Sequence, residues 1–251
     1  MVPKHARSIG LSTFREASRS INRVAWRRRL VAAPMALVAA ILLVTAVPRT
    51  LGVVLTARSE PVLRKLQDQQ PVYMDELKTL ANALESGQFW LNDGRIRTDL
   101  GLAYLLIAEK MQRTDSNASV YLQRAIDELK AGLTRAPANP YAWARLAYAE
   151  ALSRGWSPLA VSSLRLAMIT APHEPRLLWP RLRMAFLALP HMPSGDRGIV
   201  LRQVRAAWNA DREELTRLAV ELGQVSVVRE ALMQIPEDAG AFDDLVKRRP
   251  A

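Results

Sequence analysis

The 251-residue chain has no cysteine. That absence excludes a disulfide framework, a thiolate metal site and a cysteine nucleophile. Histidine is scarce: His5, His173 and His191 are the only three, and none stands in metal-ligand spacing. No GxSxG elbow, phosphate-cradling Gly-rich loop or HExxH helix occurs. Acidic pairs such as Asp75-Glu76, Glu213-Glu214 and Asp243-Asp244 fall on or near predicted helices. There they read as solvated faces or first-turn dipole partners rather than acid–base pairs. No catalytic residue, metal ligand or cofactor is nominated, and the chain reads as a non-enzyme. Runs of alternating β-branched residues are missing too, so no strand is expected. With 49% hydrophobic residues and 11 glycines, neither a disordered nor a collagen-like chain fits.

What is present begins with charge. The formal net charge of +11 invites a nucleic-acid reading. Its distribution argues otherwise. Residues 1–29 hold eight basic side chains against the single acid Glu16, a net +7. Residues 30–48 carry none, and the 203 residues from Arg49 onward carry +4. The excess therefore ends where an apolar run begins, and no nucleic-acid partner is expected. Eighteen uncharged residues, Leu30 to Val47, make a helix of roughly 27 Å, enough for a thin bilayer core. Arg27, Arg28 and Arg29 before the run, against Arg49 alone after it, predict the N-terminus inside and the remainder outside. A buried core helix, a cleaved signal peptide and a mitochondrial transit peptide are the competing readings. The tail itself reads as an orientation signal touching anionic lipid headgroups; a cytoplasmic partner is the alternative.

Residues 49–70 read as a polar neck with Leu63 and Leu66 as its apolar contacts. From Pro71 the apolar residues recur at intervals of three and four. The spacing predicts helices ending near Gly87, then over 96–112, 119–135, 139–153, 157–170, 174–188, 195–209, 211–222 and 224–234. The domain they form spans 71–238, with 239–251 left as a C-terminal tail. Short helices joined by Pro-containing turns suggest a repeat. Ala136-Pro137-Ala138-Asn139-Pro140 is matched thirty-five residues on by Ala171-Pro172-His173-Glu174-Pro175. Trp143, Arg145, Leu146 and Ala149 are matched thirty-six residues on by Trp179, Arg181, Leu182 and Ala185.

Over residues 95–190 the chain resembles the tetratricopeptide repeat family. Trp143, Leu146 and Ala147 fit that family's first helix, and Ala160, Ala167 and Pro172 its second. Ala125, Gly132 and Pro137 fit a second helix upstream, preceded by Leu100-Gly101-Leu102-Ala103-Tyr104 in a first. Three departures stand out: an insertion before the 119–135 helix, Glu150 in place of an aromatic, and Pro180 inside a helix. The resemblance implies an all-α solenoid of antiparallel hairpins behind one transmembrane helix. It also implies partner binding in a concave groove, where Tyr141, Ala144, Tyr148, Arg176 and Arg183 would sit. The expected role is a scaffold or adaptor for envelope or inner-membrane proteins, in export or exopolysaccharide synthesis. The alternative is a periplasmic domain binding a glycan or peptide, and an enzyme with an unrecognised site comes third. The Ala- and Arg-rich, Lys-poor composition suits a GC-rich bacterium. Trp90, Trp143, Trp156, Trp179 and Trp208 read as packing between helix pairs. Arg176, Arg181, Arg183, Arg197, Arg202 and Arg205 cluster near one hairpin; most such charge is a solvated face, and an electropositive patch for an anionic partner segment or acidic glycan is the sharper reading.

Overall fold

The computed structural model describes residues 34–47, 49–91, 93–111 and 115–248. The basic tail, with Arg27, Arg28 and Arg29, lies outside these residues. Every described element is helical, with no strand among the described residues. The chain divides into two units, residues 1–51 and 52–251.

In the first unit, residues 34–47 and 49–51 are helical (α1) and every one is exposed. Leu42, Leu43 and Val44 stand 62%, 66% and 72% open. Among the described residues, one helical stretch, Pro34–Gln67, which continues into the second unit's sequence, is long and apolar enough by length and composition to cross a membrane.

The second unit opens with helical residues 52–56, a 3-10 turn at Ala57–Ser59 and α2 at Glu60–Gln67. There follow α3 (Met74–Trp90), α4 (Gly94–Lys110), α5 (Ser116–Leu133), α6 (Pro140–Arg154), α7 (Pro158–Thr170) and α8 (Pro175–Ala188). The remainder is α9 (Arg197–Ala210), α10 (Arg212–Glu221), α11 (Val225–Leu232) and α12 (Pro236–Lys247). Helix starts repeat one chemical device. Asn139 accepts from the Ala142 N–H ahead of Pro140, Ser157 from Ala160 ahead of Pro158, and Glu174 from Arg176 ahead of Pro175. Each cap satisfies an orphan donor, and each proline occupies a position whose N–H has no helical acceptor. Gly155, at φ +71°, ends α6, as the left-handed region requires.

Consecutive helices pack in order: α3 on α4, α4 on α5, α5 on α6 and α6 on α7. Glycine permits the closest of these contacts. A Cβ at Gly132 would fall 2.5 Å from Thr98 Cγ2 and 2.9 Å from the Gly94 carbonyl. One at Gly101 would fall 2.7 Å from Leu129 Cγ. The departures from the repeat pattern acquire reasons. Glu150 is buried and accepts from Ser163 Oγ at 2.9 Å while pairing with Lys130, so it ties α5, α6 and α7 together. α8 continues through Pro180, whose missing N–H deprives only the Arg176 carbonyl on an exposed side.

Two expectations need correction. The 239–251 segment is not a tail throughout: α12 covers Pro236–Lys247, and Phe242 is fully buried. Ala239, Phe242, Leu245 and Val246 recur at helical spacing and pack against the core, with Pro236 starting the helix. The helix placed at 119–135 begins three residues earlier, because Asp115 caps it through the Asn117 N–H.

Candidate functional site

One concave feature of the second unit is an open groove of about 670 Å³. α4 contributes Arg95, Thr98, Asp99, Leu102 and Leu106 to its wall. Asn139, Tyr141 and Arg145 come from the start of α6, and Arg176 from the start of α8. Leu63, Leu66, Gln67 and Gln69 close it from α2 and the turn after it. The other α4 residues follow Arg95 by 3, 4, 7 and 11 positions, which is one face of a helix. Apolar Leu63, Leu66, Leu102 and Leu106 thus share a wall with three arginines and one aspartate.

The charges are arranged rather than scattered. Asp99 accepts from Arg145 at 3.5 Å and lies 3.7 Å from Arg95. Burial pushes the Asp99 carboxyl above its ordinary pKa, against the pull of Arg145 and then Arg95. Burial likewise lowers the Arg145 guanidinium, and the Asp99 charge opposes that shift. Tyr141 is raised chiefly by burial and then by the bond it donates to Glu174. Three cations against one anion leave the lining positive, in a partly desolvated setting where charge counts for more than in water.

The sequence-predicted groove residues divide. Tyr141 and Arg176 line this groove together. Tyr148 lies in a second groove of about 570 Å³ between α4, α5 and α6, where its hydroxyl donates to Glu109 at 2.6 Å. Ala144 lines neither: it is 5% exposed and belongs to the core. Its small side chain is a packing contact, not a recognition surface. Arg183 is held elsewhere, in a two-pronged bond to Glu221.

The electropositive patch also comes apart. Arg197 pairs with Glu230, and Arg205 donates to the Ala231 carbonyl. Arg181 is fully buried and donates to the carbonyls of Leu177, Ala167, Ala171 and Glu174. It finishes the C-terminal end of α7, where a cation suits the helix dipole. Of the tryptophans, Trp208 is buried and Trp90 is 41% exposed; Trp143, Trp156 and Trp179 pack partly buried against the core.

Arg95, Asp99 and Arg145 were not singled out from the sequence as groove residues. Their signal was the shared face of α4 and the repeat-matched arginine at 145, but their meeting depends on how the helices pack. Among the described residues no cluster of His, Asp or Glu has the arrangement of a metal site. No protein-family model, no curated protein and no solved structure matches the chain.

Proposed function

We propose that this is a single-pass membrane protein whose second unit is a degenerate tetratricopeptide-like domain that scaffolds partners in a bacterial envelope. The first helices of three successive hairpins, α4, α6 and α8, supply the wall of its groove. The partner is an envelope or inner-membrane protein, held through an acidic, partly apolar segment. The N-terminus lies in the cytoplasm beside anionic lipid headgroups and the C-terminal domain in the periplasm. No catalytic step, cofactor or nucleic acid enters this reading. Export or exopolysaccharide synthesis remains the setting the domain order suits.

One observation carries the reading: three arginines and four leucines converge on one groove, while Asp99, paired with both Arg145 and Arg95, brings a single negative charge. A positive, partly apolar cleft selects an extended acidic segment by charge complementarity and specifies it with the leucine wall. The test is photocrosslinking in membranes from a benzophenone amino acid placed at Arg176, with Arg183 as the outside control. Adducts with a defined protein should form at position 176 and not at 183. Arg176→Glu should weaken that partner roughly tenfold without shifting thermal unfolding, because the side chain is exposed. Equal labelling at both positions would sink the groove as a docking site. Capture of an acidic oligosaccharide instead of a protein would favour the ligand-binding alternative. A reporter fused after residue 251 and active only in the cytoplasm would overturn the orientation.

A further inference from the structure

At the end of α3 two aromatic side chains stand in the open. Phe89 is 83% exposed and Trp90 41%, and their rings meet edge to face at 5.3 Å. Neither belongs to the two apolar cores of the unit. Both lie outside the grooves described above. An exposed aromatic pair forfeits burial, so its position asks for a solvent other than water.

Its neighbours identify that solvent. The same end of α3 is packed tightly against residues 52–56, the first turn of the unit. A Cβ at Gly87 would fall 2.2 Å from Thr56 Cγ2, and one at Gly52 would fall 2.3 Å from Leu91 Cγ. These contacts hold Phe89 and Trp90 beside the chain's entry into the domain. Val53 and Val54, in that same turn, are each 61% exposed. In sequence, Gly52 follows Val47, the last residue of the uncharged run, by five positions. Even fully extended, five residues reach at most about 18 Å, so the start of the unit stays within reach of the headgroup layer that borders the run. Aromatic side chains with an apolar body and a polar edge concentrate at that depth.

We propose that Phe89 and Trp90 form an interfacial anchor that dips into the outer headgroup layer of the membrane crossed by the apolar run. The occupant of this patch is lipid. The anchor adds a second point of attachment thirty-seven residues beyond Gly52, so it restrains the domain's tilt and keeps α3 at the bilayer surface. This rests on the membrane-spanning reading above, and the test separates the two.

The full chain is reconstituted in phosphatidylcholine–phosphatidylglycerol vesicles. Because the chain has no cysteine, single nitroxide labels enter cleanly through Val38→Cys, Phe89→Cys and Met233→Cys. Met233 is a distant apolar side chain, 68% exposed. Relaxation by lipid-soluble oxygen against a water-soluble nickel complex then reads depth. Trp90 is followed separately, as the difference in brominated-lipid quenching between the unaltered chain and Trp90→Phe. The expected result is Val38 in hydrocarbon, Phe89 at headgroup depth with several-fold less nickel access than Met233, and Trp90 quenched. Phe89 as open to nickel as Met233, or Trp90 unquenched, would overturn the anchor while Val38 in hydrocarbon leaves the span intact. Val38 in water would overturn the span and the anchor with it.

Discussion

The core of α3–α6 and the core of α6–α12 differ at their tightest and bulkiest points. The first holds Gly101 and Gly132 where α4 meets α5, with leucines around them. The second holds the largest buried rings, Phe186, Trp208 and Phe242, among its alanines, and buries a whole arginine at its edge. Trp208 and Phe242 meet edge to face at 6.1 Å, linking α9 to α12. Close approach tolerates no added atom, whereas a core of large side chains tolerates no removed one. Small residues of the repeat-like pattern serve both regions: Ala125 and Gly132 lie in the first, Ala147 and Ala167 in the second. The pattern stops past residue 190, where Trp208 and Phe242 fill the space.

The largest effect should come from Arg181→Ala. It would strip the Arg181 donor from the Ala167 and Ala171 carbonyls and open a cavity, costing about 3–5 kcal/mol. A shifted urea midpoint at constant slope would measure it; a shift within error would remove Arg181 from the framework of the second core. Next is Phe242→Ala, expected to cost about 3 kcal/mol by the same measurement, because the ring is fully buried. Full retention of stability would mean that the domain ends before α12.

Glycine variants sharpen the contrast between the cores. Gly132→Ala should cost about 1–3 kcal/mol, since its Cβ meets backbone at 2.9 Å. Gly240→Ala, in α12 with nothing within 4 Å, should instead stabilise by about 0.5–1 kcal/mol through helix propensity. If both variants stabilise, close approach does not govern the first core.

The smallest effect concerns pH. Hydrogen bonds from Arg217, Arg183 and Arg197 hold the carboxyls of Glu214, Glu221 and Glu230 below their ordinary range. Groups with a lowered folded pKa contribute stability above their unfolded pKa and lose it as pH falls through the folded one. Asp99, raised by burial, behaves oppositely: its contribution is complete below its unfolded pKa and lost as pH rises through the folded one. The variant Asp99→Asn should therefore steepen the loss of stability on acidification, and Arg197→Gln should flatten it. Denaturation midpoints compared at about pH 7 and about pH 4 check both, and slopes that move the other way would contradict these assignments.

Much of the helical order was legible beforehand. Asn139-Pro140, Ser157-Pro158 and Glu174-Pro175 announce helix starts with a cap and a fixed φ, both local chemistry. Period-three-and-four spacing announces faces. The candidate groove was only half legible. Tyr141 and Arg176 were placed by repeat spacing, but Ala144 on the same helix turned into the core. Spacing specifies which residues share a face, and the packing of α6 against α7 specifies which faces meet protein. α12 lies beyond the last helix the spacing predicted, and a single phenylalanine, Phe242, carries it to the core.

The sequence alone determined that the chain is helical, that it carries an uncharged run long enough to cross a bilayer, and that most of its excess charge precedes that run. These are local properties: backbone preference, side-chain period and charge order depend on near neighbours along the chain. Only the tertiary structure decided that Arg181 is buried on carbonyls and that Arg183 and Arg197 are spoken for by acids. It alone brought Arg95, Asp99, Arg145 and Arg176 to one groove. Those outcomes turn on distances between residues tens of positions apart, which follow from how helix faces pack and from which contacts exclude water.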